Sequence, residues 1–198
     1  MLDNRDTDTR CRIVAQAEAF FRQIGYTKTT VADIAKALKM SPANVYRFFD
    51  SKKAINEAVA EVMMRGVEEA AEAIAASQAS PPEKVRRFVE TVSRMNAERY
   101  VEDRRMHEMV EAALDESWSI VEAHLERLHA ILTRIIGEGM ARGDFDVGDA
   151  AVAAGCVQAG MLKFCHPRHI MDCQGMAFGA QMDGMIQFML RGLGWRGR

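Results

Sequence analysis

The sequence predicts an all-α protein of about nine helices, with a small N-terminal domain and a larger C-terminal domain. Apolar residues recur at the helical spacing of three and four residues through most of the chain, whereas alternation with period two is never sustained. Capping residues, glycines and prolines interrupt this pattern where helices start and stop. The clearest break, Ser-Gln-Ala-Ser-Pro-Pro at 77–82, separates four predicted helices from the five that follow.

Composition and charge restrict the class of protein. Hydrophobic residues make up 48% and charged residues 27% of the 198 residues, which is typical of a soluble globular protein. No apolar run approaches the roughly 18 residues that a membrane-spanning helix needs. The polar N-terminus does not have the pattern of a signal peptide, so we expect a cytoplasmic protein without a membrane partner. Residues 1–53 contain ten Lys/Arg and six Asp/Glu, whereas the remainder contains 16 and 22, so the N-terminal part favours a polyanion as its partner.

Capping signals locate the first helices. The first is predicted at about 9–24, where apolar residues share one face and Gly25 follows as a helix-ending residue. The second begins at Thr30-Val-Ala-Asp33, which has the pattern of a capping box. Ser41 then caps a third helix, with Pro42 at its first position. The later helices are predicted at about 51–76, 82–100, 103–114, 117–142, 147–165 and 171–191.

Helices two and three are short and are joined only by Lys39-Met40, which is the plan of a helix-turn-helix. In that motif the second helix of the pair enters the DNA major groove and its N-terminal residues meet base edges. Ser41, Pro42 and Ala43 are small and allow close approach of the backbone. Asn44 offers the paired donor and acceptor that adenine favours.

The rest of the third helix combines cations with aromatic residues. Tyr46, Arg47 and Lys52 are spaced to meet phosphate oxygens, and the N–H groups at the start of helix four add an anion site. The alternative is that the aromatic residues all belong to the core and the cations are merely solvated. The residues predicted to turn inward and anchor the segment on the first helix are Val45, Phe48 and Phe49.

At residues 29–35 and 40–52 the chain resembles the DNA-binding signature of the tetracycline-repressor (TetR) family. The matching segments are Thr29-Thr30-x-x-Asp-Ile-Ala and Met-Ser-Pro-Ala-Asn-Val-Tyr-Arg-Phe-Phe-Asp-Ser-Lys, and the likeness covers roughly residues 10 to 55. The resemblance implies an all-helical homodimer. Each subunit would have a DNA-binding domain, residues 1–54, and a C-terminal domain, residues 55–198, that holds a ligand pocket and pairs through its last two helices.

The resemblance also implies roles for single residues. Thr30, Tyr46 and Lys52 match phosphate contacts of the family, and Ser41 to Asn44 match its base-reading end. One residue departs from the pattern, because the family usually has glycine where this chain has Lys39. A lysine in the same left-handed conformation costs about 1 kcal/mol, and its side chain can add a phosphate contact. The predicted DNA contacts are Thr29, Thr30, Lys39, Ser41, Pro42, Ala43, Asn44, Tyr46, Arg47 and Lys52.

Small residues and methionines characterise the last two predicted helices. Alanines and glycines in 147–165 let helices approach closely, and methionines in 171–191 fill irregular gaps. Two such helices from each subunit would form a four-helix interface around a two-fold axis, with an ordinary intramolecular core as the alternative. The predicted interface residues are Ala154, Val157, Gly175, Met176, Gly179, Met182, Ile186 and Met189.

The resemblance places a ligand pocket in the C-terminal domain, and an apolar lining with few polar groups suits a hydrophobic effector. For each methionine or aromatic residue the alternative is an ordinary core position, and for each histidine a solvated or locally bonded side chain. The predicted lining residues are Phe88, Met95, Met106, His107, Met109, Trp118, Gln158, Met161 and Phe164, with Glu111 and His124 as further polar candidates.

The segment from Cys165 through His169 to Cys173 contains soft metal ligands at intervals of four. Pro167 disfavours a continuous helix there, because the residue before a proline is pushed out of the helical region. We therefore interpret the segment as the corner between the last two helices, with a metal site or a redox sensor as alternatives. Four unevenly spaced cysteines do not form a disulfide framework.

These observations predict a ligand-responsive transcriptional regulator, most often a repressor in this family, that binds a near-palindromic operator as a homodimer. No cofactor, metal or catalytic residue is predicted. Two alternatives are an enzyme that uses the Cys/His segment, for which no nucleophile motif is present, and a helical adaptor protein. The adaptor leaves the capped, cationic segment 41–52 without a role.

Overall fold

A computed structural model describes residues 4–101, 104–116, 118–166 and 178–197, and throughout these ranges the regular structure is helical, without strands. The all-α prediction is thereby confirmed. The helices are α1 (Asn4–Ile24), α2 (Val31–Ala37), α3 (Pro42–Tyr46), α4 (Lys52–Ala76), α5 (Pro81–Val101), α6 (Arg104–Glu116), α7 (Trp118–Arg142), α8 (Ala150–Cys165) and α9 (Phe178–Gly192).

The helix starts follow the predicted caps where a polar side chain marks them. The Thr30 hydroxyl accepts from the Asp33 N–H at 3.1 Å, and the Asp33 carboxylate accepts from the Thr30 N–H at 2.9 Å, which completes the capping box. The Asp149 carboxylate accepts from two N–H groups at the start of α8, which therefore begins at Ala150 and not at the predicted 147. α1 begins earlier than predicted, at Asn4.

The chain forms two compact units. The first unit takes in the chain up to Met64 and the segment from α6 to Val121, and the second takes in the rest. Two helices, α4 and α7, thus begin in the first unit and end in the second.

The first unit contains the helix-turn-helix and a small core between α1, α2 and α3. Its fully buried side chains include Ile13, Phe21, Ile34 and Val45. α6 is joined to the same unit by a side-chain hydrogen bond, since the Asn56 amide donates to the backbone oxygen of Met109 at 3.3 Å. Val59 and Val67 of α4 are buried, whereas Val62 is 47% exposed.

The second unit has one continuous apolar core. Helices α5, α7, α8 and α9 all contribute fully buried side chains to it, including Phe88, Leu132, Ile136, Ala154 and Ile186. A lysine is buried beside this core: Lys84 donates to Glu138 at 2.7 Å, and this hydrogen bond lowers the pKa of the Glu138 carboxyl. None of the helices in the described part of the chain combines the length and the hydropathy that crossing a membrane requires.

Candidate nucleic-acid interface

The leading end of α3 is built by its cap. The Ser41 hydroxyl accepts from the Asn44 N–H at 3.2 Å, and Pro42 occupies the first helical position. Ser41, Pro42 and Ala43 are all exposed, so the end that the sequence assigns to base reading faces solvent. Because these side chains are small, another molecule can approach the backbone closely there.

Asn44 is already engaged within its own segment. Its Nδ2 lies 3.8 Å from the sulfur of Met40, and its Oδ1 accepts from Nη1 of Arg47 at 3.4 Å. Both contacts are long, and the side chain remains partly exposed. An adenine edge offers the same donor and acceptor at better distances, so these contacts hold the amide in place without preventing exchange.

The cations of this surface lie against aromatic rings. The Arg47 guanidinium is 5.9 Å from the centroid of the Phe48 ring, and the Lys52 ammonium is 4.3 Å from that of Tyr26. Lys52 also donates to the backbone oxygen of Thr27 at 3.3 Å, and partial burial lowers its pKa. Tyr46 is 49% exposed and is the last residue of α3.

The prediction that Val45, Phe48 and Phe49 all turn inward needs a correction. Val45 and Phe49 are buried, but Phe48 is only partly buried and carries Arg47 over its ring. Phe48 and Phe49 follow the end of α3 at Tyr46 and are adjacent in sequence, and only Phe49 of the two is buried in the core.

Thr29 and Thr30, both predicted DNA contacts, occupy different environments. Thr29 is 1% exposed and its hydroxyl donates to the backbone oxygen of Gly25 at 2.8 Å, so it stabilises the turn after α1 and is not available to DNA. This corrects the prediction for Thr29. Thr30 is exposed, and its hydroxyl donates to the Asp33 carboxylate at 2.6 Å.

Lys39 has a φ of 55° and so adopts the left-handed backbone conformation that favours glycine. The N–H of Met40 bonds to the oxygen of Ala35 at 2.9 Å and that of Lys39 to Lys36 at 3.1 Å, which together form a Schellman motif at the end of α2. The replacement of glycine therefore preserves the turn, and the Lys39 side chain is exposed.

One contact of this surface was missed from the sequence. Arg10 of α1 donates from Nη1 to the backbone oxygen of Phe48 at 2.9 Å and lies over the ring of Phe49. A signal was present, because Arg10 precedes the buried Ile13 and Ala17 by three and seven residues and so shares their face of α1.

Comparison with protein-family models identifies both parts of the chain. Residues 13–59 match the model of bacterial regulatory proteins of the tetR family, and residues 81–186 match the tetracyclin repressor-like C-terminal domain. The chain belongs to the TetR family of transcriptional regulators. A comparison with curated proteins found no match to this sequence.

Solved structures of TetR-family proteins share the fold over nearly the whole chain. A TetR/AcrR-family regulator from Thermobifida fusca is 21% identical, with a TM-score of 0.72 over 96% of this chain and 100% of that chain. PfmR, a TetR-family regulator from Thermus thermophilus, is 25% identical, with a TM-score of 0.60 over 94% and 100%. The regulator FadR from Bacillus subtilis, in complex with stearoyl-CoA, is 20% identical, with a TM-score of 0.68 over 92% and 98%.

The predicted ligand-pocket residues of this TetR-family chain occupy buried and partly buried positions wherever their side chains are described. Phe88, Met161 and Phe164 are buried in the second unit, Met95 is partly buried against the same core, and Met109 is buried in the first unit. The side chains of Met106, His107 and Trp118 lie outside the described residues.

The polar candidates for the pocket have partners in the protein. Oε1 of Gln158 lies 2.8 Å from Nδ1 of His129, and its Nε2 donates to the oxygen of Leu125 at 3.1 Å. Nδ1 of His124 lies 2.7 Å from the carboxylate of Glu68. These contacts join helices of the second unit.

The predicted dimer-interface residues lie on the expected helices but mostly on their inner faces. Ala154, Val157, Ile186 and Met189 are buried in the core of their own chain, and Val157 and Met189 also line a groove between α8 and α9. Met182 packs against the same core, Gly179 is exposed, and Gly175 and Met176 lie outside the described residues.

A groove lies between α8 and α9. It has a volume of about 570 Å³. Its rim carries the exposed Val152 and Phe188, of which 66% and 74% are accessible. The lining residues are Val147, Gly148, Asp149, Val152, Ala153, Cys156, Val157, Gly160, Met185, Phe188, Met189, Gly192 and Leu193.

The Cys/His segment lies mostly outside the described residues, which include neither His169 nor Cys173. Burial raises the pKa of the Cys165 thiol to about 12, so this thiol is protonated at neutral pH and is a poor nucleophile. Asn96 donates to the backbone oxygen of Cys165 at 2.9 Å and ties the end of α8 to α5. Among the residues that the structure describes, no three histidine, cysteine or acidic side chains are grouped closely enough to hold a metal ion.

Proposed function

We propose that this TetR-family chain is a cytoplasmic repressor that binds a near-palindromic operator as a homodimer and is released by a hydrophobic effector. The observation that carries the proposal is the exposed leading end of α3, where Ser41 to Ala43 face solvent with Tyr46 and Arg47 beside them. The small residues at the leading end of α3 can enter a major groove, and the Arg47 cation after the other end can meet a phosphate backbone beside that groove.

The DNA contacts divide into two classes. Asn44 reads an adenine after exchanging its contacts with Met40 and Arg47 for the base edge. Tyr46, Arg47 and Lys52 hold phosphates, and Lys52 does so from a position set by Tyr26. The first class gives sequence preference and the second gives affinity for any duplex.

Selection of bound DNA from a random pool, followed by affinity measurements over a range of salt concentrations, tests this division. Tyr46→Ala and Lys52→Ala should weaken binding to the selected and to a scrambled duplex alike. Asn44→Ala should relax the preference at one base pair by about 1–3 kcal/mol. Val62→Ala, an exposed substitution on α4, is the matched control. If Asn44→Ala left the selected sequence unchanged, the base-reading role of that side chain would be wrong.

The homodimer forms through the groove between α8 and α9. Phe188 and Val152 are large apolar side chains with most of their surface accessible, and they rim an apolar groove that a second copy would cover. Two such grooves related by a two-fold axis are self-complementary, since each presents a protruding side chain and a recess.

Oligomeric state tests the dimer directly. Phe188→Glu should yield a monomer in sedimentation, whereas Val62→Glu, which adds the same charge to an exposed site on α4, should leave the dimer intact. In addition, alkylation of Cys156 in the groove should slow as the protein concentration rises, whereas alkylation of the exposed Cys11 on α1 should not. Equal concentration dependence at the two thiols would contradict this interface.

The effector binds in the second unit, near α5. Ser93 is fully buried with no hydrogen-bond partner for its hydroxyl in the described part of the chain, and it lies within two helical turns of Met95 and Phe88. A mostly apolar effector with one polar group would satisfy this hydroxyl. The B. subtilis FadR structure, which holds stearoyl-CoA, makes long-chain acyl compounds a first set to test.

Effector binding lowers operator affinity through α4, which begins in the first unit and ends in the second. A ligand has this effect only if it binds the free conformation better than the DNA-bound one. Thermal-shift screening of acyl compounds identifies binders, and Ser93→Ala should weaken them. Unchanged operator affinity of the ligand-saturated protein would exclude this form of regulation.

A further inference from the structure

We propose that Arg10 is a positioning residue of the DNA-binding surface, acting on DNA through the orientation of α3. This inference rests on the proposed DNA-binding function. Arg10 lies in α1, 38 residues before Phe48 in sequence, and its Nη1 donates to the Phe48 backbone oxygen at 2.9 Å. Its guanidinium carbon lies 4.2 Å from the centroid of the Phe49 ring. We call these two contacts the Arg10 clamp.

α3 depends on contacts from outside itself because it contains only five residues. An isolated helix of that length does not form, since nucleation fixes several residues for a single hydrogen bond. The Ser41 cap satisfies its leading end. The Arg10 clamp acts just beyond the other end, where it satisfies a backbone oxygen and places a positive charge at the helix C-terminus.

The clamp also sets the rotation of α3 about its axis. Phe49 is 2% exposed, so its ring is fixed on one side by the core of the first unit and on the other by the guanidinium. The hydrogen bond to the Phe48 oxygen fixes one point just beyond the end of α3. The guanidinium over the Phe49 ring fixes the orientation of the segment about that point. The direction in which Ser41 to Asn44 project from the surface follows from that rotation.

The contacts require a guanidinium and not merely a positive charge. A planar group stacks on the ring while one of its nitrogens donates sideways to the carbonyl, and an ammonium cannot do both. Arg10→Lys therefore keeps the charge and loses the clamp, whereas a direct phosphate contact would tolerate lysine. Arg10 is exposed, so the two roles need to be separated by experiment.

The test uses the full-length protein, the duplex that the unaltered protein selects from a random pool, and a scrambled duplex. Affinities are measured over a range of salt concentrations for Arg10→Lys, Arg10→Met and the control Arg22→Lys. Arg22 lies in the same helix and bonds to Glu18 of that helix at 2.9 Å, so its substitution removes a guanidinium without touching α3. Hydrogen exchange of α3 and of α8 is measured in each free protein.

For Arg10→Lys and Arg10→Met we expect a roughly tenfold loss of affinity for the selected duplex, as for one charge-assisted hydrogen bond, with little change on the scrambled duplex. The salt dependence should stay as in the unaltered protein. Exchange should accelerate in α3 and not in α8, and Arg22→Lys should change none of these quantities.

Three results would overturn the inference. They are an unchanged ratio of selected to scrambled affinity in Arg10→Lys, unchanged α3 exchange in that variant, and a salt slope reduced by about 0.9 in Arg10→Met, which marks a lost phosphate contact. Failure of the proposed function is a separate result, since in that case the unaltered protein selects no sequence from the pool.

Discussion

In the first unit, two short helices are started by Thr30 and Ser41 and joined by a left-handed Lys39, and polar contacts define nearly every turn. In the second unit, α5, α7, α8 and α9 meet through one apolar core, and α8 and α9 are apolar on more than one side. Polar caps act within a few residues of sequence, whereas apolar packing depends on which helices become neighbours. The difference explains why the sequence predicted the helix caps of the first unit better than it predicted the inward faces of the helices in the second unit.

The largest change in the free energy of unfolding is expected at the buried ion pair between Lys84 and Glu138. This pair is an exception within the second unit, because it is a polar contact beside an apolar core. Glu138→Gln leaves Lys84, which is 4% exposed, without a counter-charge and should lower the free energy of unfolding by about 3 kcal/mol. Lys84→Met should cost less, on the order of 1 kcal/mol, because Glu138 is partly exposed and also bonds to Arg142. Denaturant unfolding of both variants measures the asymmetry. Equal losses would show that the charge of Lys84 is not buried in solution.

Close packing in the second unit predicts opposite effects at two glycines of α7. A β-carbon at Gly139 would overlap the buried ring of Phe145, so Gly139→Ala should destabilise by about 1–3 kcal/mol. A β-carbon at Gly137 meets no described atom within 4 Å, so Gly137→Ala should stabilise by roughly 0.5–1 kcal/mol through helix propensity. Thermal unfolding of the pair provides the measurement. Two stabilising substitutions would show that Phe145 is not packed on α7.

The turn of the first unit should respond to its strained residue. Lys39→Gly should stabilise by about 0.5–1 kcal/mol, because glycine adopts a φ of 55° without steric cost. Hydrogen exchange should slow at the Met40 amide, which bonds to Ala35, and stay unchanged in α8. A stabilisation that appeared equally in both units would mean that they do not unfold independently.

The smallest effect concerns the titration of the capping box. The Thr30 hydroxyl, and then its N–H, lower the pKa of the Asp33 carboxyl. A carboxyl with a lowered folded-state pKa stabilises above its ordinary pKa, and that contribution disappears as the pH falls through the lowered value. Thr30→Ala should raise the pKa of Asp33 towards its ordinary value in an NMR titration, and the same substitution should leave Glu138 unaffected. An unshifted Asp33 in Thr30→Ala would contradict the capping contact in solution.

How much of the structure could be predicted from the sequence also differs between the first and the second unit. The capping box and the Ser41-Pro42 start of α3 were both predicted, because each depends on residues within three or four positions of one another. Phe48 and Thr29 were assigned incorrectly even in the first unit. Each has a neighbour of the same residue type, and the sequence does not show which of the two faces the core. Arg10 shares a face of α1 with Ile13 and Ala17, but this periodicity does not indicate a partner such as Phe48, which lies 38 residues away in sequence.

The sequence by itself determined the helical class and the helix-turn-helix, through periodicity and caps whose physics is local, and it indicated the family through the resemblance of residues 29–35 and 40–52 to a known signature. Only the tertiary structure decided which faces of α8 and α9 are internal: Ile186 and Met189 pack inward, and Phe188 points outward. Periodicity cannot make that choice for a helix with apolar residues on several sides, because the inner face is set by the neighbouring helices. The proposed dimer surface is therefore the face that the core of the second unit left uncovered.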